Sequence, residues 1–255
     1  MTFSPITLIG SLLLLAAVGM GMAAPIPQDP MYHDYGDQRI IFGIPYFWNV
    51  VSNLPMFFIG LYGLREAIRR YTERPEGVAR LIPLVLSGGI YITCFGSAYY
   101  HWKPSNDTLL WDRLPMTLMF MSLFSLLVYD YLGKKAGTIA FWTSIPAGII
   151  SVLYWHFTEA AGQGDLRPYA IVQFFPMVAA PALMLVYPGK VPYVKLVAYI
   201  LGWYVVAKLF EHFDKEVYQM LGFWSGHTLK HLTGAIGLVY AMKVVDGWNP
   251  SANKA

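Results

Sequence analysis

Three histidines and one aspartate lie at or near the ends of long apolar segments, where ionisable side chains are rare. His227 and His231 are four residues apart in SGHTLKHLTG and therefore share one face of a helix. His101 and Asp112 lie on either side of a Lys-Pro-Ser-Asn-Asp turn. Polar side chains at membrane depth are costly and by default mark a functional site. Three imidazoles and a carboxylate predict a zinc ion with an open coordination position and an acid/base partner for water.

Ser97 precedes His101 by four residues in GSAYYH and repeats the helical spacing. Taken alone, it can also be a small residue at a helix contact. Asp112 has a structural alternative as well, an ion pair with Arg113 or Lys103. Both functional and structural interpretations stay open at this point.

A lone histidine inside a membrane can simply hydrogen-bond to a neighbouring helix. We favour that structural interpretation for His156 and His212. For His101, His227 and His231 we favour metal binding. Unrelated core histidines would have no reason to lie on the same side of the bundle, and these three are expected to do so.

The composition is typical of a membrane protein. The 255 residues are 56% hydrophobic and 13% charged, whereas a soluble domain carries about a quarter charged residues. The formal charge of +3 is too small to suggest a nucleic-acid partner. Cys94, the single cysteine, excludes an internal disulfide and a thiolate zinc site, and we interpret it as a small core hydrophobe.

Apolar runs of about twenty residues, the length that crosses a bilayer as a helix, recur along the chain. They cover about residues 5–24, 45–64, 81–101, 108–132, 138–157, 169–187, 194–212 and 226–244. The sequence therefore predicts an all-α polytopic membrane protein, a seven-helix transmembrane bundle preceded by an N-terminal hydrophobic segment. Residues 1–24 are either a signal peptide or an extra transmembrane helix. Residues 25–44 form an extramembrane segment, 45–245 the hydrolase domain and 246–255 a cytoplasmic tail.

Lysine and arginine counts predict the orientation of the bundle. Four of these residues lie in the loops on one side: Arg39, Lys103, Arg167 and Lys215. Eleven lie on the other side: Arg65, Arg69, Arg70, Arg74, Arg80, Lys134, Lys135, Lys190, Lys195, Lys243 and Lys254. The remaining three fall within helices: Arg113, Lys208 and Lys230. The richer side is expected to be cytoplasmic, with the C-terminus there, and the four titratable residues at the outer, periplasmic side of a bacterial inner membrane.

The hairpin between the second and third core helices is expected to bring Asp112 near His101. Pro104 ends one helix, and Asn106 or Asp107 can cap the next. Pro115 predicts an irregularity in that third helix.

Three motifs together resemble those of the alkaline ceramidases: GSAYYH, WDRLPMT and HTLKHLTG. They are also similar to the wider seven-helix hydrolase superfamily that includes GPI-anchor-remodelling lipid hydrolases and adiponectin-type receptors. The resemblance covers about residues 46–245 and includes FWNVVSNLP near its start and GDLRPY at 164–169. It implies that His101, His227 and His231 bind zinc, and that Asp112 and Ser97 contact or activate the zinc-bound water.

The sequence departs from this family at one position. Animal alkaline ceramidases carry an acidic calcium site just before the first helix, with a Glu directly before Phe-Trp-Asn, whereas this chain has Tyr46 there. The upstream stretch offers Asp34 and Asp37 but no Glu. We therefore do not expect calcium binding to be retained.

The resemblance implies a zinc-dependent intramembrane lipid amide hydrolase, first of all a ceramidase that releases a sphingoid base and a fatty acid. Hydrolysis of another lipid ester or of a GPI-lipid is the alternative within the hydrolases. A non-catalytic seven-helix lipid receptor is a second class. A transporter with His and Asp as an ion relay is a third, although it predicts polar residues through the whole membrane depth. The expected partner is a ceramide-like lipid, and no protein partner is predicted.

Overall fold

A computed structural model describes residues 4–188 and 193–250, which are all-α. The helices are α1 (Pro5–Met22), α2 (Phe47–Val51), α3 (Leu54–Arg69), α4 (Val78–Trp102), α5 (Asn106–Leu132), α6 (Lys134–Ala160), α7 (Arg167–Val186), α8 (Val194–His212), α9 (Asp214–Leu221) and α10 (Gly226–Gly247). A short 3-10 helix, Pro30–His33, lies between α1 and α2. The predicted all-α class is confirmed, and each predicted apolar run lies on helix.

The chain is a multi-pass membrane protein. Within the described residues, six segments are long and apolar enough to cross a membrane: α1, α2 with α3, α4, α5, α6 and α7. The helices α8 and α10 are not among these six; they pack along each other, and each carries two lysines and one carboxylate. Part of that charge is paired between them, because Glu211 of α8 forms ion pairs with Lys208 and with Lys230 of α10.

The first core helix is broken, whereas the sequence predicted one helix over 45–64. The helix α2 ends at Val51 and α3 begins at Leu54. Pro55 has no N–H to continue the helical ladder. Ser52 and Asn53 instead donate from their side chains to the Asn49 carbonyl oxygen, at 3.2 and 2.8 Å. Short polar side chains that bond locally to backbone in this way favour a helix boundary.

Ser105 caps α5, and the prediction of Asn106 or Asp107 as the cap is wrong. The Ser105 hydroxyl accepts from the Thr108 backbone N–H at 3.2 Å, and the Thr108 hydroxyl accepts from the Ser105 N–H at 3.1 Å. This reciprocal capping box satisfies two backbone donors at the turn. Asn106 and Asp107 already lie within the first turn of α5.

The helix α5 is continuous through Pro115, where the sequence predicted an irregularity. Pro115 does remove the N–H that would bond to the Trp111 carbonyl four residues earlier. The backbone of α4 lies against that carbonyl at Gly96, where a Cβ atom would come within 2.1 Å of the oxygen. Gly96 therefore permits an approach of α4 to α5 that any side chain would prevent.

The helix α1 buries no residue; Leu8 and Ile9 pack against the core, and hydrogen bonds hold its C-terminal end. The Arg167 guanidinium, at the start of α7, donates to the carbonyls of Met20 and Ala23 at 3.2 and 2.5 Å. Asp165 binds the same guanidinium at 2.8 Å, and this bond holds the pKa of the Asp165 carboxyl below its usual range. Arg167 thus attaches α1 to the bundle.

Replacing Gly96 with alanine is expected to push α4 away from α5. Overpacking of this kind costs about 1–3 kcal/mol, so the thermal midpoint of the purified protein in detergent should fall. Gly202→Ala in α8 is the matched control, because nothing lies within 4 Å of a Cβ there. Equal thermal midpoints for Gly96→Ala and Gly202→Ala would show that α4 does not pack closely against α5 at Gly96.

Candidate metal centre and cavity

The three predicted ligands meet at one end of the bundle. His101 lies at the end of α4, while His227 and His231 lie in the first two turns of α10. Their ligand atoms lie within 4.8 Å of one another, and the Nε2 atoms of His101 and His227 are 3.2 Å apart. All three side chains are buried. Two imidazole nitrogens at this separation, with a third beside them, fit a shared cation.

Ser52 holds the imidazole of His231 in place. The Ser52 hydroxyl lies 2.7 Å from Nδ1 of His231 and 3.2 Å from the Asn49 carbonyl oxygen. Because Nδ1 is engaged by this hydroxyl, Nε2 is the ring nitrogen left for a metal. Metal-binding histidines are typically oriented by such a bond to the second ring nitrogen. The donor set therefore fits a divalent metal.

Asp214 fixes the start of α10 and with it His227. The Asp214 carboxylate accepts from the backbone N–H of His227 at 2.6 Å and from that of Gly36 at 2.7 Å. Because a carboxylate at a helix N-terminus is favoured by the helix dipole, this contact stabilises the first turn of α10. It also links that turn to the segment before α2.

Tyr35 packs against two of the three imidazoles. Its ring meets His101 and His227 edge-on, with centroid distances of 5.0 and 4.5 Å. Its hydroxyl donates to the Tyr100 hydroxyl at 2.5 Å. Burial holds the pKa of the Tyr35 hydroxyl well above its usual value, so that proton stays in place. The aromatic cover shields the histidine cluster from bulk water.

Asp112 and Ser97 lie together on facing helices. Both side chains are buried, and both line the same cavity. No ion pair within 4.0 Å joins Asp112 to Arg113, Lys103 or another cation in the described chain. The structural alternative of an ion pair is therefore not what the fold forms.

A cavity of about 450 Å³ connects this pair to an apolar interior. Its polar wall includes His231, Ser97 and Asp112. Much of the remaining wall is apolar, including Met56, Met116, Met119, Phe120, Phe174 and Leu238. Ligand pockets are typically about 300–1,000 Å³ and mostly apolar, with a few placed polar groups, and this cavity has that form.

The other two carboxylates on the cavity wall are already engaged. Glu211 is bound by the ammonium groups of Lys208 and Lys230. Asp29 accepts from the backbone N–H of Met31 and caps the short 3-10 helix. Asp112 is thus the wall carboxylate that is free to take part in proton transfer.

The remaining residues considered from the sequence lie outside the histidine cluster. His156 and His212 are not among the grouped metal-binding side chains of the described residues. Cys94 is buried in the apolar core. Asp34 and Asp37 are paired with Lys215 and Arg39, respectively.

Sequence reasoning gave no role to several residues of the site. Ser52 and Asn49 stood in the FWNVVSNLP motif, and their polarity within an apolar run was the available signal. Arg113, Lys208 and Lys230 were recognised as charges within helices, but spacing does not reveal their partners. Tyr35 lies in a segment without helical or strand periodicity, so no pattern in the sequence marked it as part of the site.

Comparison with protein families identifies one match that spans most of the chain. The family model described as Ceramidase matches residues 40–249. Comparison with individual curated proteins gives no significant match. The matched range contains all five site residues predicted from the sequence, and the family implies a hydrolase with a lipid substrate.

Ser52→Ala should weaken zinc binding about 10- to 100-fold, since loss of an orienting bond to a metal-binding histidine typically has that effect. Competition with a chromophoric chelator measures the zinc affinity of the variant and of the wild type. Ser151→Ala is the matched control, because Ser151 is also buried and donates to a carbonyl three residues earlier, at 2.7 Å. Equal zinc affinity in both variants would show that Ser52 does not orient His231.

Proposed function

This chain belongs to the ceramidase family, and on that premise we propose that it is a zinc-dependent hydrolase that cleaves the N-acyl amide bond of a ceramide-like lipid inside the membrane. The products are a fatty acid and a long-chain amino alcohol. The placement of Asp112, Ser97 and His231 on the wall of one mostly apolar cavity is the observation that carries this proposal. It joins a polar reaction site to a space that accepts acyl chains.

His101, His227 and His231 would hold the zinc ion. A zinc ion in such a site supplies Lewis-acid chemistry, since it polarises a carbonyl oxygen and lowers the pKa of water. The contact of Ser52 with Nδ1 holds the imidazole of His231 in place and leaves Nε2 for a ligand. Tyr35 excludes bulk water from the outer side of the imidazoles.

Asp112 acts as the general base and then as the general acid. Its carboxylate accepts a proton from the attacking water and returns that proton to the nitrogen of the leaving amine. Ser97, on the same cavity wall, would donate to the Asp112 carboxylate and orient it. Because Glu211 is bound by two ammonium groups, it does not compete for this proton.

Mass spectrometry of lipids released by the purified protein tests the reaction class. A panel of ceramides, ester lipids and GPI-lipids, each with and without a zinc chelator, should release fatty acid from ceramides only, and only without the chelator. Release from the esters alone would assign the alternative activity. No release from any lipid, with zinc bound, would favour a receptor.

Asp112→Asn should lower turnover by about 10²- to 10⁴-fold and leave the zinc content unchanged, because it removes a base and not a ligand. Ser97→Ala should cost less, on the order of 10- to 10³-fold, because one orienting contact is lost. Turnover is measured by fatty-acid release and zinc by elemental analysis.

Asp107→Asn is the control for these variants, since Asp107 lies exposed on the first turn of the same helix. It should keep full activity. Full activity in Asp112→Asn, or loss of zinc together with activity, would remove Asp112 from the proposed role.

We further propose that the histidine end of the bundle faces the periplasm in a bacterial inner membrane, with the C-terminus in the cytoplasm. The support is the eleven-to-four distribution of Lys and Arg between the two sets of loops. Two of the eleven, Lys190 and Lys254, lie outside the described residues.

Cysteine labelling checks this orientation. In a Cys94→Ala background, Gln163→Cys at the histidine end should react with an impermeant thiol reagent on intact cells, and Thr72→Cys at the opposite end should not. Both positions are exposed, and neither caps a helix. The opposite labelling pattern would place the site at the cytoplasmic side.

A further inference from the structure

The lipid cavity extends only part of the way from the histidine end of the bundle to the opposite end. The residues of α5 that line it share one helix face: Asp112, Arg113, Met116, Met119 and Phe120. The residues of α10 that line it have the same spacing: Lys230, His231, Gly234, Ala235 and Leu238. Both helices continue well beyond these residues, so the cavity has an inner end within the bundle.

Packed apolar side chains close the cavity at that inner end. Met119 lies on the cavity wall and also belongs to the contiguous apolar core, as does Met56 of α3. Farther from the histidines on the same faces of α5 and α10, Leu127, Met242 and Val245 are buried in that core. Because protein cores are packed as densely as organic crystals, a lipid chain does not pass through this layer.

Met119 is held in place by α4. A Cβ atom at Gly89 would come within 3.1 Å of Cγ of Met119, so the backbone of α4 lies directly against this side chain. The Thr93 hydroxyl lies 2.7 Å from the Gly89 carbonyl oxygen and 3.8 Å from the sulfur of Met119. Thr93 is itself buried and lines the cavity. These contacts fix Met119 as part of the end wall.

The distance from the reaction site to this wall follows from the helix. Met119 is seven residues beyond Asp112 on α5, which corresponds to about 10 Å at about 1.5 Å per residue. A fully extended chain advances about 1.2 Å per single bond, since the three backbone bonds of a residue span about 3.3–3.6 Å. Roughly eight carbon atoms therefore reach from a carbonyl beside Asp112 to the wall at Met119.

The acyl chain is the part of the substrate that suits this inner end. It is apolar from the carbon next to the carbonyl, whereas a long-chain amino alcohol carries hydroxyl groups near its nitrogen. Burying a hydroxyl without a hydrogen-bond partner is costly. The polar groups deep in the cavity are already engaged, because Gln173 donates to the Tyr204 hydroxyl at 2.9 Å and Thr93 bonds to a backbone carbonyl.

We propose that Met119 is a specificity-determining residue, the end wall that limits how far an acyl chain extends into the cavity. Longer chains must turn aside towards Phe174, which lines the cavity and is 44% exposed. The inference rests on the proposed function in taking the cavity as the acyl site. Binding of free fatty acids measures the limit without turnover.

A series of saturated fatty acids from hexanoate to hexadecanoate, in steps of two carbons, tests this proposal. Calorimetry gives their affinities for the purified full-length protein in neutral detergent, for the wild type and for Met119→Ala. The ratio of the two affinities at each length cancels the partition of the acid into detergent. The affinities should be equal up to octanoate. For tetradecanoate and hexadecanoate the variant should bind about tenfold more tightly, since each additional buried methylene contributes about fourfold.

Met121→Ala is the matched control. Met121 is a buried methionine of the same helix that packs against Gly148 of α6 and does not line the cavity. Both variants lose the same atoms, but the affinity ratio for Met121→Ala should not depend on chain length.

Gly234→Leu is the reciprocal variant. Gly234 lines the cavity three residues beyond His231, and nothing lies within 4 Å of a Cβ there, so a larger side chain fits without a clash. Leucine at this position takes the place of methylene groups of the ligand. It should weaken the binding of hexadecanoate about tenfold more than that of hexanoate.

A ratio for Met119→Ala that does not change with chain length overturns the proposal, and so does an equal rise in Met121→Ala. If Met119→Ala does not fold, Gly234→Leu decides, because an equal loss for hexanoate and hexadecanoate shows that the acyl chain does not run along this wall.

Hydrolysis rates separate the two chains of the substrate. Ceramides that differ in acyl length should reproduce the profile of Met119→Ala, and a profile that follows the amino-alcohol chain instead overturns the proposal. A protein that binds fatty acids with the expected profile but releases none from any ceramide would refute the proposed hydrolase and leave the length limit at Met119 intact.

Discussion

The contact between α4 and α5 at Gly96 is the constraint on which the site depends. Pro115 leaves the Trp111 carbonyl without its helical donor, and inside a membrane no water replaces that donor. The backbone of α4 packs against this carbonyl because Gly96 has no side chain. Weak Cα–H···O contacts recur at such close helix interfaces. The residues next to the contact, Ser97 and Asp112, are thereby held on the wall of the same cavity.

The same contact determines the position of the metal site along the axis of the bundle. His101 follows Ser97 by one helical turn, so the packing that places Ser97 beside Asp112 also places His101 beyond it, at the end of α4. The histidines of α10 reach this level because Asp214 fixes the first turn of that helix. Two independent anchors, one glycine contact and one carboxylate cap, thus bring side chains from distant parts of the chain to one point.

Hydrogen bonds and ion pairs distinguish two groups of polar residues at the site. Supporting residues have their polar atoms bonded within the protein, whereas other residues keep polar atoms without such partners. Asp214 accepts from two backbone N–H groups, and Glu211 is bonded to two lysines, so these groups are satisfied within the protein. Among the described residues Asp112 forms no ion pair, and Arg113 keeps one nitrogen unbonded. Unpaired polar groups in a low-dielectric interior are unfavourable. Such departures from a locally consistent fold are typical of functional sites.

Much of the fold follows from regularities that a single chain displays. Apolar runs long enough to cross a bilayer predicted the helices, because backbone groups in lipid must bond within their own segment. The four-residue spacing of His227 and His231 placed them on one helix face. The break between α2 and α3 and the cap at Ser105 were not predicted, since several nearby residues could serve equally well.

By itself, the sequence determined the helical class and the composition of the metal-binding group, because helix length and helix-face spacing are properties of consecutive residues. Only the tertiary structure decided that Ser52 contacts His231, that Tyr35 packs against two of the imidazoles and that Arg113 forms no ion pair with the described residues. These contacts join residues far apart in the chain. Helical periodicity says which way a side chain points along its own helix, but the packing of one helix on another decides what that side chain meets.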